Sequence, residues 1–317
     1  MQIDYCLILA AGFGTRMGTI GQKLPKVLWP VFEKSLLELQ VAYARSLGAK
    51  KIYINLHYMG EEIEKFCKSK SAFEDVIFLW EKPIILDIGG AIHNLAALPD
   101  IKYSGKLLVL NADQFFYIKK DELEKIVAPF IKSPGVLFSY FVNSTQGYNA
   151  LELNAKRELK GITQNNDLPK DSVIETYTGI SYIDLAQLDP VVGVSAFFDS
   201  VCPFKKKAIP AILLDNVDYW DFGTFKRYWD TSFKILETYS VNSNHPFLRF
   251  LVNERAMKTW KIDLLKFSYN SKTPRVINLA EDVYSQETHP AIFLSSTSAK
   301  KINANMIWWK DLSEVVK

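Results

Sequence analysis

Short apolar runs rich in β-branched residues alternate with segments of helical period through the first 140 residues. CLILA comes first, followed by SLLELQVAYARSLGA, KKIYINL, GEEIEKFCKS, DVIFLW, IGGAIHNLAAL and KLLVLNAD. That rhythm predicts βαβ units feeding a mainly parallel sheet with right-handed crossovers, an α/β fold. In the first helical segment Leu36, Leu39, Gln40 and Tyr43 follow helical spacing. Ser35 stands where an N-cap belongs, and Gly48 where a left-handed C-terminal residue belongs.

From Pro134 to Asp184 the texture changes to strand-like stretches, GVLFSYFV, NALELN and TYTGISYID, separated by polar turns such as TQNNDLPKD. A helix is expected from Ser195 to Leu214, then a short strand entering DYWDFGT, then a helix from Thr224 to about Tyr239. Beyond Asn242, short apolar runs joined by Asn, Ser and Pro predict strands. The expected organisation is therefore an α/β domain over 1–240 and a small C-terminal β-rich appendage over 241–317. Trp308 and Trp309 give that appendage a surface able to cover an edge or make an oligomer contact.

Composition narrows the function. The 317 residues are 48% hydrophobic and 13% aromatic, with 38 Lys+Arg against 35 Asp+Glu. A net charge of +3 lacks the basic footprint of a nucleic-acid binder, so no nucleic-acid partner is expected. Cys6, Cys67 and Cys202 are odd in number and widely spaced, which fits a reducing, cytoplasmic setting. The N-terminus MQIDYCLILAAG has no basic leader, and no window reaches the ~20 apolar residues of a membrane span, so neither secretion nor a membrane anchor is expected. His57, His93, His245 and His289 are scattered without zinc-ligand spacing. No side chain stands in a nucleophile-plus-base pattern, as in a reaction whose substrate supplies the nucleophile.

The candidate chemistry lies in LILAAGFGTRMGTIGQKLPKVLWPV, Leu7 to Val31. Gly12 and Gly14 follow directly on a strand, where a tight turn exposes backbone N–H groups to an anion; a plain strand-to-helix turn would use the same glycines. The loop lacks the G-K-[ST] ending of a P-loop. A dinucleotide fingerprint is disfavoured, because Gly18 falls one place late and the second strand ends in Asn55, Leu56 and His57 rather than an acid. Arg16 offers a planar fork suited to the β- and γ-phosphates of a triphosphate. Lys26, stiffened by Pro25, can place a compact charge on the α-phosphate.

The complete pattern, A-A-G-x-G-T-R followed by P-K-x-L-x-P-V, closely resembles the N-terminal loop of the sugar-1-phosphate nucleotidyltransferases, also called NDP-sugar pyrophosphorylases. The resemblance implies a Rossmann-like, mostly parallel mixed sheet flanked by helices, the nucleotide-diphospho-sugar transferase fold, over about Met1 to Tyr239. It implies nucleotidyl transfer from an NTP to a sugar-1-phosphate with release of pyrophosphate, assisted by Mg²⁺. Asp113, ending LLVLNAD, and Asp221, matching W-x-D-x-G-T, are by resemblance the metal ligands; a turn or a helix cap is the ordinary reading of each. Ala10, Ala11, Gly12, Gly14 and Thr15, with Asp87, Gly89 and Gly90 of LDIGGAI, are by resemblance the nucleotide-binding positions. Thr178 and Gly179 of TYTGISYID, and Asn149, line the sugar site by the same resemblance, although Tyr148-Asn149 departs from the Tyr-Gly of many relatives.

Two further features bear on specificity. The E-K-P lysine of some branches is missing after Leu159; Lys205, Lys206 and Lys207 are substitutes unless they form a solvated face. The pattern is most similar to the branch of N-acetylmuramate-1-phosphate uridylyltransferases and mannose-1-phosphate guanylyltransferases. Bulky Pro83, Ile84 and Ile85 are expected to narrow the base pocket, favouring UTP over GTP. A catalytically silent regulatory subunit is the rival reading, and retention of Arg16, Lys26, Asp113 and Asp221 together favours the enzyme. The choice between monomer and homo-oligomer is not legible.

Overall fold

The computed structural model describes residues 2–31, 34–215, 217, 219–242, 244–251, 276–278, 291–293, 306–309 and 312–315. The chain divides into two compact units. One comprises Met1–Gly12, Gln40–Ala112 and Ile118–Val217; the other comprises Phe13–Leu39, Asp113–Tyr117 and Asp218–Lys317.

In chain order the strands are β1 (Tyr5–Leu9), β2 (Pro30–Val31), β3 (Lys34–Ser35), β4 (Lys51–Leu56), β5 (Val76–Trp80), β6 (Lys106–Asn111), β7 (Gln114–Phe116), β8 (Gly135–Asn143), β9 (Ala150–Leu153), β10 (Leu159–Thr163), β11 (Val173–Asp184), β12 (Ala211–Leu213), β13 (Tyr219–Asp221), β14 (Val276–Asn278), β15 (Ala291–Phe293), β16 (Met306–Trp309) and β17 (Leu312–Val315). The helices are α1 (Gly18–Gly21), α2 (Leu36–Ser46), α3 (Gly60–Lys68), α4 (Asp87–Ala96), α5 (Lys120–Val127), α6 (Phe197–Ser200), α7 (Phe225–Val241) and α8 (Pro246–Leu251).

The first unit is built on a seven-stranded mixed sheet in the order β12-β8-β11-β6-β1-β4-β5. β1 pairs in parallel with β4 and β6, β4 with β5, and β12 with β8, while β11 runs antiparallel to both β6 and β8. Central strands covered on both faces read as unbroken apolar runs, and Cys6, Leu7 and Ile8 of β1 and Leu107 to Leu110 of β6 are accordingly buried. Leu7, Tyr53, Leu107 and Val109 share one core cluster with Ile92, Leu95 and Ala96 of α4. Register places Leu9 beside both Asn55 and Asn111, and Leu56 beside Trp80. The carboxyl ends of β1, β4, β5 and β6 therefore share one edge, where open α/β sheets bind ligands.

Local chemistry fixes the helix starts. Ser35 and Glu38 form a reciprocal capping box: the Ser35 amide donates to Glu38 Oε2 at 2.8 Å and the Glu38 amide to Ser35 Oγ at 3.2 Å. Gly48 takes the expected left-handed conformation, φ 88°. Thr224 caps α7, its Oγ1 accepting from the Arg227 amide at 3.2 Å.

The helix expected from Ser195 to Leu214 is not formed. One turn, α6, is followed by tight turns and then by β12. Pro203 and Pro210 have no N–H to give a helix, and the Pro203 carbonyl instead accepts from the amides of Lys206 and Lys207.

In the second unit β13 pairs with β7 antiparallel. A four-stranded sheet, β14-β15-β16-β17, lies beyond Asn242, where strands are expected; its first two pairings are parallel and its last antiparallel. Ile307 is buried, and β17 lies against α1. The side chains of Trp308 and Trp309, and residues 252–275, 279–290 and 294–305, lie outside the described residues. Among the described residues no helix is long and apolar enough to cross a membrane.

Candidate active site

The four charged residues singled out in the sequence fall in the second unit. Gly14 adopts the left-handed conformation, φ 63°, ahead of a tight turn over Thr15–Met17 that carries Arg16 at the surface. Among the described residues no carboxylate pairs with Arg16. A Cβ added to Gly14 would lie 3.7 Å from Lys26 Cβ, so the glycine turn and the P-K-x-L-x-P segment are packed together.

Lys26 opens a second short turn, Lys26–Leu28, directly after Pro25, φ −50°. This turn is buttressed by α7: the buried Trp29 ring meets Tyr228 edge-on at 4.9 Å, and the Tyr228 hydroxyl donates to the Pro30 carbonyl. Lys26 Nζ donates to Asp113 Oδ2, and both side chains are largely buried.

Asp221 is not the cap of α7, since Thr224 fills that role; it ends β13 and is 7% exposed. Its Oδ2 accepts from the Tyr219 hydroxyl at 2.8 Å and pairs with Arg227 at 2.9 Å. Its Oδ1 accepts from the Gly223 amide at 2.6 Å. The two carboxylates meet around Gly223: a Cβ there would stand 2.9 Å from Asp221 Oδ1 and 3.1 Å from Asp113 Oδ2. Two anions facing one point repel unless cations lie nearby, and Lys26 and Arg227 each neutralise one. Arg227 is not legible as a site residue, because only folding brings the first turn of α7 back onto β13, whereas Tyr219, two places before Asp221 on the same strand, shares its face by the strand period.

This donor set suits Mg²⁺, a hard cation that takes one or two carboxylates and completes its shell with water and substrate phosphates. Among the described residues no cluster of three or more His, Cys, Asp or Glu is gathered. The absent side chain of Gly223 keeps the space beside both carboxylates open. For a pair that holds Mg²⁺, Gly223→Ala is expected to raise the Mg²⁺ concentration at half-saturation by about tenfold or more with the fold retained, by analogy with the cost of disturbing a metal site's supporting shell. An Mg²⁺ titration, with circular dichroism as the fold control, checks it.

The remaining positions fall in the first unit, apart from Gly14 and Thr15. Ala10 and Ala11 are buried at the end of β1, and Gly12 is exposed with nothing within 4 Å of the place a Cβ would take. Asp87 starts α4 in the left-handed conformation, φ 60°. Gly89 and Gly90 serve packing: a Cβ on Gly89 would lie 2.5 Å from the Ser195 carbonyl, and one on Gly90 2.4 Å from the Gly193 carbonyl. The Gly90 amide donates to the Ser195 carbonyl at 3.1 Å, so these glycines admit the 193–196 segment to the start of α4.

Thr178 is buried, its Oγ1 accepting from the Ile180 amide at 3.0 Å. Gly179, φ 80°, sits within the register shift of β11. Asn149 is exposed, with Oδ1 accepting from the Asn165 amide and its carbonyl from Thr176 Oγ1. Of the three lysines, Lys205 and Lys206 are exposed, while Lys207 is spent on Asp189 and the Gln187 carbonyl. Burial pushes the Cys6 and Cys202 thiols above the ordinary thiol range, which removes them as nucleophiles.

Fold and charge together define an α/β protein with a glycine turn after its first strand and an acidic pair at strand ends. Residues 6–161, just under half of the chain, match the MobA-like NTP transferase domain family. The chain is 29% identical over 187 residues to the bifunctional protein GlmU of Marinobacter nauticus, covering 58% of this chain and 38% of that one. It is 31% identical over 118 residues to a D-glycero-alpha-D-manno-heptose 1-phosphate guanylyltransferase of Campylobacter jejuni, covering 37% of this chain and 51% of the relative. The matches thus span between about a third and a half of the length of these relatives. In architecture the chain is similar to HddC from Yersinia pseudotuberculosis, with a TM-score of 0.60 at 20% identity over 73% of this chain and 99% of that one. This likeness is one of fold.

Proposed function

We propose that this protein is a sugar-1-phosphate nucleotidyltransferase, which joins the nucleotidyl group of an NTP to a sugar-1-phosphate and releases pyrophosphate. Residues 1–240 carry the activity and 241–317 form an appendage. The observation that carries the reading is the meeting of Asp113 and Asp221 around Gly223, each matched by a cation. An acidic pair of this kind has a direct use in phosphoryl chemistry, where carboxylates hold the divalent cation that neutralises the phosphates.

A sugar-1-phosphate oxygen attacks the α-phosphorus in line and pyrophosphate leaves. The nucleophile is already an anion, so no general base is needed. The barrier lies in bringing anions together and in charge growing on the transferring group, which positioning and preorganised cations lower. Arg16, exposed at the end of the glycine turn, neutralises the β- and γ-phosphates with its fork. Lys26, held in direction by Asp113, serves the α-phosphate. Asp113 and Asp221 would hold Mg²⁺, which supplies charge neutralisation for the triphosphate when bound. Backbone amides from Ala11 to Thr15 orient the phosphates and ribose. In this reading Asp87 serves the base, and Thr178, Gly179 and Asn149 belong to the sugar site.

The nucleotide is UTP in this reading. Pro83, Ile84 and Ile85, bulky residues in the segment joining β5 to α4, narrow the base pocket in this reading and favour the smaller base. The guanylyltransferase relative makes GTP the competitor. A continuous pyrophosphate-release assay with Mg²⁺, UTP, GTP, CTP, ATP or dTTP and a panel of sugar-1-phosphates tests the reading. Release with UTP above GTP is expected, since a hydrogen-bonding site rejects the wrong base strongly. Release with GTP alone overturns the base, and a silent panel in the presence of NTP binding favours a regulatory subunit.

A further inference from the structure

At the carboxyl edge of the sheet in the first unit lies a short chain of buried polar groups. The Ala10 amide donates to Asn55 Oδ1 at 2.7 Å, Asn55 Nδ2 donates to Glu81 Oε1 at 2.7 Å, and the Leu86 amide donates to Glu81 Oε2 at 2.7 Å. Glu81 is 1% exposed and Asn55 5%. No cation pairs with Glu81 among the described residues. A buried carboxylate without a counterion is costly, and apolar residues would fill the same space more cheaply.

The two ends of the chain explain why it is kept. Ala10 leads directly into the glycine turn, and Leu86 closes the segment holding Pro83, Ile84 and Ile85 immediately before α4. Three short hydrogen bonds therefore couple the origin of the phosphate turn to the far end of the base-facing segment. The polarity runs one way only. The Ala10 amide requires an acceptor, which turns the Asn55 oxygen toward it and the Asn55 amine toward Glu81.

We infer that Asn55 and Glu81 are positioning residues for the nucleotide: through the Ala10 and Leu86 amides they fix the point where the chain leaves β1 for the glycine turn and the end of the 83–85 segment, both within the first unit. The inference rests on the nucleotidyltransferase reading, and it names two residues that touch no reacting atom.

Glu81→Gln presents an amine to one of two N–H donors, and Asn55→Asp sets two carboxylates against each other. Either exchange is expected to raise KM for the NTP by about tenfold or more, as disturbance of groups that orient a binding shell does, with KM for the sugar-1-phosphate within about twofold. The double exchange Asn55→Asp with Glu81→Gln restores every donor to an acceptor. The new carboxylate at position 55 would accept from the Ala10 amide and from the new side-chain amine at position 81, whose oxygen would accept from the Leu86 amide. Its NTP KM is expected to return to within about threefold of the parent, because the hydrogen-bond complement is again satisfied.

Glu81→Asp is the gentler probe. It keeps both acceptors and the charge but shortens the reach by one methylene, and it should raise NTP KM and change the UTP to GTP ratio in a folded protein. Unchanged NTP KM in Glu81→Asp, or no recovery in the double exchange, overturns the inference while parental turnover leaves the enzyme reading standing. A parent that binds no NTP by calorimetry overturns both.

Discussion

Asp113→Asn and Asp221→Asn are each expected to lower turnover by about 10³-fold or more, at the upper end of what removing one preorganised electrostatic group costs, and to leave the fold intact. Asparagine keeps the size and one acceptor but loses the charge, so Lys26 or Arg227 would lack its counterion and the acidic pair would be halved. The strand pairing does not depend on either carboxylate, and the bond from the Gly223 amide to Asp221 Oδ1 can be kept by the remaining oxygen of an asparagine. The Asp113 carbonyl accepts from the Phe222 amide at 2.9 Å, and β13 stays paired with β7. Pyrophosphate release measured beside circular dichroism and thermal unfolding checks both halves of the expectation. Full activity in both variants, or activity undiminished by excess EDTA, would remove the acidic pair from the mechanism.

Lys26→Ala is expected to lower kcat by about 10²-fold while changing KM for the NTP much less, because charge on the α-phosphate grows only as the transition state forms. The turn over Lys26–Leu28 is held by Trp29 and Tyr228 rather than by the lysine side chain, so the variant should fold. Arg16→Lys should also be damaging, since an ammonium cannot reproduce a two-pronged contact to phosphate oxygens. Steady-state kinetics with varied NTP separates the outcomes, and an effect confined to KM would make Lys26 a binding residue only.

Much of the architecture is readable in the sequence because its causes are local. Short apolar runs at regular spacing foretell the parallel core, Ser35 announces its helix through a capping box with Glu38, and Gly48 marks its end. The glycine turn and the P-K-x-L-x-P segment are legible together, and the structure brings Gly14 and Lys26 side by side. What escapes depends on distant partners. Gly89 and Gly90 read as an opening for a base, yet the 193–196 segment, remote in sequence, occupies the space their missing side chains leave. Arg227 reads as one more charge on an amphipathic helix until α7 presents it to Asp221. Asn55 counts against a dinucleotide site as a missing acid; paired with Glu81 it becomes half of a polar relay. The helix expected across Ser195–Leu214 fails for a cause present in the sequence, the prolines at 203 and 210, whose missing N–H groups outweigh the apolar pattern around them.

The central claim is nucleotidyl transfer, and the most direct measurement follows the nucleotide itself. Protein, Mg²⁺ and UTP labelled at the α-phosphate are incubated with each sugar-1-phosphate in turn, and labelled products and pyrophosphate are quantified together. Label moving into a nucleotide-sugar in equimolar amount with pyrophosphate, in the parent but not in Asp113→Asn, is the predicted result. UTP and the other NTPs bound yet unconsumed with every sugar phosphate, or label released as UMP without a sugar acceptor, would contradict it.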